Sequence, residues 1–73
     1  EVLFYRADAQ RQSGNYSGAI ASYTRIQAHT AKTKPTLAAQ ALTGLGQTYA
    51  ATGRLDDAVT ALDQARAIAA GDA

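Results

Sequence analysis

The sequence predicts an all-α protein whose four helices form two helix-turn-helix repeats, stacked as a short α-solenoid. Apolar residues recur at spacings of three and four along almost the whole chain, as they do on one face of a helix. No segment of four or more residues alternates cleanly between apolar and polar residues, as a half-buried strand would. Two halves of the chain also match each other at a constant offset, which is the signature of a repeat protein.

The first two helices are separated by a short polar turn. The first is predicted over about Val2 to Gln12, with Leu3 and Ala7 facing inward, and the sequence Ser-Gly-Asn at 13–15 ends it. The second is predicted over about Tyr16 to Thr30, and the spacing of its apolar residues places them on one face. These residues are Tyr16, Ala19, Ile20, Tyr23 and Ile26.

The third helix follows a proline. Pro35 lacks an amide donor and pushes Lys34 out of helical geometry, so the chain is expected to turn at residues 31–36. A helix is then predicted over about Leu37 to Thr52, closed by Gly53 in the left-handed conformation. The residues expected to face inward are Leu42, Leu45 and Tyr49.

The fourth helix is predicted over about Leu55 to Ala70, with Gly71 as the stop. Asp56 and Asp57 fall in its first turn, where negative charge favours the amino end of a helix. The residues expected to be buried are Leu55, Ala58, Val59, Leu62 and Ala65.

The repeat has an offset of 39 residues, from Gly14 to Gly53. Further pairs agree in kind: Tyr16 with Leu55, Ala19 with Ala58, Ile20 with Val59, and Tyr23 with Leu62. The chain is therefore divided into a first repeat at about 1–33, a linker at about 34–38 and a second repeat at about 39–71. Each unit of such a solenoid buries its apolar face by stacking on the next.

Small residues are expected where the helices cross. Gly46 lies one residue after Leu45 and three before Tyr49, so it should face the neighbouring helix. Glycine within a helix costs about 1 kcal/mol relative to alanine, whereas burying a leucine-sized side chain returns about 1.5 to 3 kcal/mol. Close packing is therefore expected to outweigh the cost. The alanines with the same expected role are Ala19, Ala58 and Ala65.

The pattern resembles the tetratricopeptide repeat family over essentially the whole chain. The second half matches the family's large-large-small-aromatic first helix and small-large-small second helix in Leu42, Leu45, Gly46, Tyr49, Gly53, Ala58, Leu62 and Ala65. The first half matches in Leu3, Ala7, Gly14, Tyr16, Ala19 and Tyr23. It departs at Arg6, Gln10 and Ile26, which suggests that the first helix is an end facing solvent or a partner. The resemblance implies a right-handed solenoid and a role in protein–protein interaction.

Composition excludes several classes of function. The net charge of +1 predicts no nucleic-acid partner and no attraction to a membrane surface. No apolar run approaches the roughly 20 residues of a membrane span, and no basic-then-apolar leader precedes the first helix. We expect a soluble protein, more in keeping with the cytoplasm than the periplasm. Because the chain begins without methionine inside a helical pattern, we also expect it to be a piece of a longer polypeptide.

No catalytic, cofactor or metal site is expected. Gly44 and Gly46 match part of the glycine motif that binds dinucleotides. That motif needs a third glycine where Tyr49 stands, and it follows a strand, whereas a helix is predicted here. His29 is the sole histidine and the chain has no cysteine, so no set of metal ligands is evident. No serine or threonine has a histidine and acid that the sequence could place beside it.

The resemblance implies a concave groove, lined by the first helix of each repeat, that receives a peptide or helix of a partner. The positions that match the family's groove are Glu1, Phe4, Tyr5, Asp8, Arg11 and Gln12 in the first helix and Gln40, Thr43, Gln47 and Ala51 in the third. All of them except Glu1 and Ala51 are predicted to contact the partner. Phe4 and Tyr5 are expected to be exposed aromatics. The alternatives left open are polar residues that merely face water, self-assembly into homo-oligomers, adjoining repeats in the parent chain, and a regulatory domain of a larger protein.

Overall fold

The computed structural model describes residues 2–71, and it describes side chains for residues 4–70. The expectations for Glu1 and for the side chain of Leu3 therefore lie outside the described residues. Within the described range the elements are all helical, as predicted: α1 Val2–Gln12, α2 Tyr16–Thr30, α3 Pro35–Ala51 and α4 Leu55–Gly71. Between residues 2 and 71, no helix has the length and apolar character that crossing a membrane requires.

The helix boundaries agree with the prediction for α1 and α2 and differ at α3. Helix α4 also includes Gly71, which was predicted to stop it. Helix α3 begins at Pro35, two residues before the predicted Leu37, and it ends at Ala51. Lys34 has φ −138° and ψ 73°, outside the helical region, as expected before a proline. The fixed φ of proline suits the first helical position, where its missing amide hydrogen is not needed. Pro35 therefore starts the helix as well as ending the preceding turn.

The turns after α1 and α3 are built alike. Gly14 and Gly53 have φ of +89° and +82°. This is a left-handed backbone conformation that residues with a side chain rarely adopt. In the first turn the amide of Asn15 donates to Gln10 O at 2.8 Å and that of Gly14 to Arg11 O at 3.2 Å. In the second turn the amide of Arg54 donates to Tyr49 O at 2.9 Å and that of Gly53 to Ala50 O at 3.1 Å. These four residues lie 39 positions after their counterparts in the first turn. Both turns are Schellman motifs, so the two helix pairs share one corner geometry.

Each helix packs chiefly on its neighbours in the chain: α1 on α2, α2 on α3, and α3 on α4, with a small contact between α1 and α3. The core between them contains mostly small and aliphatic residues around one aromatic side chain. Its buried members are Ala7, Ala19, Tyr23, Ile26, Ala41, Leu42, Leu45, Ala61 and Ala65. Tyr23 is 1% exposed and is the largest fully buried side chain among the described residues.

Gly46 lies at the crossing of α3 and α4, as predicted. A methyl group added there would lie 2.6 Å from Leu62 Cγ and 3.3 Å from the carbonyl oxygen of Ala58. Ala19, Ala58 and Ala65 are buried, which confirms their expected place between helices. Small residues therefore allow the helices to pack closely against each other.

One prediction for α4 is wrong. Leu55, Val59 and Leu62 were expected to be buried, but they are 64%, 57% and 38% exposed. Helix α4 packs on α3 through its alanines and one side of Leu62, and no further helix of residues 2–71 covers the face that carries Leu55 and Val59. The helical period locates an apolar face correctly, but whether a partner covers that face depends on the tertiary arrangement.

Candidate partner-binding surface

Three of the predicted groove residues share an exposed face of α3. Gln40, Thr43 and Gln47 lie at spacings of three and four, and all are exposed. The Thr43 hydroxyl donates to the carbonyl of Ala39 at 2.9 Å, so it is engaged with its own helix. The side-chain amides of Gln40 and Gln47 can each donate and accept, which suits the backbone of a bound peptide.

An apolar groove of about 440 Å³ runs between α3 and α4 and reaches this face. Gln40 and Thr43 form its α3 side together with Ala39. Leu62 and Ala69 are among the residues on the α4 side, and the rim there includes Arg66. Two of the predicted residues therefore border an open apolar surface.

Two residues that line the groove, Thr43 and Leu62, have aromatic counterparts in the first helix pair. At the spacing of 39 residues that relates the two turns, Phe4 corresponds to Thr43 and Tyr23 to Leu62. The rings of Phe4 and Tyr23 pack against each other with centroids 6.5 Å apart and a tilt of 59°, in the range favoured by aromatic pairs. In the second pair, threonine and leucine stand at the positions of these two rings and border the open groove.

Phe4 was expected to be exposed, and this prediction is wrong. The side chain is half-buried and packs against the core beside Tyr23. Consecutive residues of a helix are 100° apart, so the choice of which neighbour faces inward depends on how α1 is rotated against α2. Tyr5 is 79% exposed, in agreement with the expectation.

Asp8 and Arg11 are held inside the helix stack by Tyr23. The Tyr23 hydroxyl donates to the carboxylate of Asp8, and Arg11 Nε donates to the same hydroxyl oxygen at 3.3 Å. Arg11 Nη2 also lies 4.0 Å from Asp8 Oδ1. Both side chains are half-buried. In this arrangement they bind α1 to α2 instead of extending freely toward a partner.

The same cluster shifts two pKa values. Burial raises the pKa of the Tyr23 hydroxyl, and the hydrogen bond to Asp8 adds to the rise. The hydrogen bond to Tyr23 is the main cause that raises the pKa of Arg11. Tyr23 therefore remains a neutral donor and Arg11 a cation throughout the physiological range.

This shift predicts a loss of stability at alkaline pH. Because the Tyr23 pKa is higher in the folded chain than in the unfolded one, its contribution is complete below the ordinary tyrosine pKa of about 10. It is lost as pH rises through the folded pKa. We expect the free energy of unfolding, measured by urea denaturation, to fall above about pH 10.

Tyr23→Phe is the control for this measurement, since it keeps the ring and the other three tyrosines. Its stability should decline less steeply over the same alkaline range. If the free energy of unfolding fell equally steeply with pH in the two proteins, the Tyr23 hydroxyl would not be the cause of the alkaline loss of stability.

The remaining predicted residues of α1 lie apart from the groove. Tyr5 borders a shallow apolar patch of about 510 Å³ on the free side of α1, with Arg6 and Ala9 among its neighbours. Gln12 is exposed at the end of the helix. The eight predicted residues thus separate into the α3 face, the cluster around Tyr23, and the outer surface of α1.

Sequence reasoning missed the α4 side of the groove. Leu62 was assigned to the core, and Ala69 and Arg66 were not considered. Aligning Phe4 with Thr43 at the 39-residue offset would have shown that an aromatic ring is missing from the second pair. That comparison was the available signal.

A comparison with protein families gives one match. A family model described as "Tetratricopeptide repeat" matches residues 4–73, which is nearly the whole chain. No curated protein and no solved structure matched.

Proposed function

Since this chain belongs to the tetratricopeptide repeat family, we propose that it is a non-catalytic interaction module that binds a peptide or helix of a partner protein. Its two helix pairs, at about 1–33 and 39–71, act as two repeats. The partner's anchoring side chain enters the groove between α3 and α4. Gln40 and Gln47 bond to the partner's backbone along the exposed face of α3.

The open groove is the observation that supports this proposal most directly. Leu62 exposes apolar surface there, and the small side chains of Ala39 and Ala69 leave room beside it. Phe4 shows what fits such a place, because its ring packs on Tyr23 in the first pair. The occupant is therefore an aromatic or large aliphatic side chain. Its burial is worth about 1.5 to 3 kcal/mol, enough to act as an anchor.

The residues of α1 have different roles in this proposal. Asp8 and Arg11 hold Tyr23, which fixes α2 against α3 and so sets the position of the Gln40 face. Phe4 belongs to the same packed cluster. Gln12 is free to touch the partner beyond the groove. Loss of Asp8 or Arg11 would thus act on binding through the position of the helices.

Filling the groove tests the proposal. Thr43→Phe copies Phe4 of the first pair and should occupy the space the anchor needs. Peptides selected on the unmodified chain from a random phage-displayed library are expected to share an aromatic or large aliphatic residue. Their affinity for Thr43→Phe, measured by fluorescence anisotropy, should fall at least about tenfold, or 1.4 kcal/mol.

Ala28→Phe is the matched control, because Ala28 is exposed on α2 and does not border the groove. It adds the same side chain elsewhere and should leave the affinity unchanged. Circular dichroism establishes that both variants keep their helices. Selected peptides that bind Thr43→Phe as tightly as the unmodified chain would place the binding surface elsewhere, and failure to select any peptide would count against an interaction module of this kind.

A further inference from the structure

A small cleft of about 210 Å³ lies between α1 and α2. Helix α1 contributes Arg6 and Gln10 to its walls, and α2 contributes Ser22 and Arg25. The floor includes Gly18, which has no side chain to fill the space. The cleft shares no residue with the groove between α3 and α4, so it is a separate surface of the molecule.

The cleft carries two positive charges. Arg6 and Arg25 take no part in the ion pairs found among the described side chains. Asp8 is the one acid in the sequence of α1 and α2, and its carboxylate accepts a hydrogen bond from the buried Tyr23. The remaining acids of the described side chains belong to α4, which packs on α3. An anion entering the cleft therefore meets two guanidinium groups that no described carboxylate neutralises.

Two side-chain amides add hydrogen-bond donors beside Gly18. Gln10 Oε1 accepts from the Ser22 hydroxyl at 2.8 Å, and Asn15 Oδ1 accepts from the Gly18 amide at 3.2 Å. With both oxygens engaged by the chain, each amide is left with an NH2 group that can only donate.

The missing side chain of Gly18 gives these two NH2 groups their room. A Cβ atom at this position would lie 2.7 Å from Gln10 Nε2 and 2.6 Å from Asn15 Nδ2. Glycine is a poor helix former, yet it occupies the first turn of α2 here. The donors of the two amides therefore meet at one edge of the cleft that the arginines line.

We propose that this cleft binds a phosphate group on a serine or threonine of a partner peptide. Such a group has a charge of about −1.5 to −2 at pH 7 and three acceptor oxygens. Two guanidinium groups match this charge, and their planar forks suit the phosphate oxygens. A carboxylate has one charge and two oxygens, so it would leave one arginine uncompensated and donors unused.

The surface next to the cleft favours a peptide over a free phosphate ion. Arg6 and Gln10 also border the apolar patch of about 510 Å³ on the free side of α1, together with Tyr5 and Ala9. Tyr5 is 79% exposed. An apolar residue beside the phosphorylated one can cover this ring while the phosphate lies in the cleft. The site goes beyond the groove proposal and does not rest on it, because it uses different helices.

Titration of the isotope-labelled 73-residue chain, followed by NMR at constant ionic strength, tests the proposal. The probes are a short acetylated peptide with phosphoserine between two leucines, the same peptide with glutamate or serine in its place, and inorganic phosphate. The phosphopeptide should shift the Nε–H signals of Arg6 and Arg25 and the NH2 signals of Gln10 saturably. It should bind at least about tenfold more tightly than the glutamate peptide and than inorganic phosphate.

Charge and donor geometry are tested by separate variants. Arg6→Gln and Arg25→Gln should each weaken phosphopeptide binding at least about fivefold. Gly18→Ala keeps every charge, but its methyl group would push aside the NH2 groups of Gln10 and Asn15. Both are the ends of flexible side chains, so the helices should remain, as circular dichroism can show. The affinity of Gly18→Ala should nevertheless fall at least about threefold.

The double variant Lys32→Gln with Lys34→Gln is the matched control. It removes two positive charges from the exposed segment between α2 and α3, away from the cleft. Its affinity for the phosphopeptide should stay within about twofold of the unmodified chain, since exposed charges at a distance are screened by salt.

Four results would each overturn the proposal: no saturable shift at the two arginines, a glutamate peptide or inorganic phosphate that binds as tightly as the phosphopeptide, a lysine control as weak as the arginine variants, or full affinity in Gly18→Ala. The groove proposal is tested with unphosphorylated peptides and Thr43→Phe, so either proposal can fail while the other stands.

Discussion

Replacing Tyr23 by alanine is expected to lower the melting temperature by at least about 12 °C. Truncating a buried aromatic residue costs about 3 to 5 kcal/mol, and each kcal/mol shifts the melting temperature of a domain this size by about 4 to 8 °C. Tyr23 is fully buried, and it also binds α1 through Asp8 and Arg11. The total stability of a chain this long is only about 4 to 11 kcal/mol. Thermal denaturation followed by circular dichroism measures the effect.

Leu62→Ala is the matched control, because it truncates the corresponding side chain of the second pair. Leu62 is partly exposed and is not covered by a following helix, so its loss should cost about 1 kcal/mol. A similar fall in melting temperature for the two variants would contradict the assignment of Tyr23 as the centre of the core.

Gly44→Ala is expected to destabilise the chain by about 1 to 2 kcal/mol, although alanine is the better helix former. The helix gains about 1 kcal/mol from the change, but the new methyl group overlaps the ring of Tyr23. Overpacking of a core costs about 1 to 3 kcal/mol and more where nothing can move. The ring is held by Phe4 and by the hydrogen bonds of its hydroxyl, so it cannot turn away. Urea denaturation gives the free energy of unfolding.

Gly46→Ala is the comparison that separates overlap from helix propensity. Its methyl group would meet Leu62, at 2.6 Å from Cγ, but Leu62 is partly exposed and can rotate into the open groove. The gain in helix propensity should then offset the displacement, giving a change within about 0.5 kcal/mol. If Gly46→Ala proved as harmful as Gly44→Ala, the freedom of Leu62 to move would be refuted.

The architecture could be predicted from the sequence because its determinants are local. Apolar spacing locates the helices, glycines 14 and 53 locate the Schellman turns, and Pro35 locates the start of α3 to within two residues. Each of these signals depends on residues close together in the chain. The positions of Gly46 and Ala58 between helices also followed from the repeat pattern.

The candidate site was only partly predictable, because it depends on what covers each face. Gln40 and Thr43 were identified through the resemblance, whereas Leu62 was assigned to the core. The period of a helix shows that Leu62 is on the apolar face, but it does not show that the next helix is lacking there. Phe4 was misplaced for a related reason, since its burial depends on the rotation of α1 against α2.

The sequential stacking of the helices has a kinetic consequence. Each helix touches mainly its neighbours in the chain, so nearly all packing joins residues that are close in sequence. Loops closed during folding are then short, and proteins with such local topology fold on timescales on the order of microseconds to milliseconds. Helix α1 packs chiefly on α2, so it can detach while α3 and α4 stay together. Amide hydrogen exchange should therefore be fastest in α1 and slowest in α3.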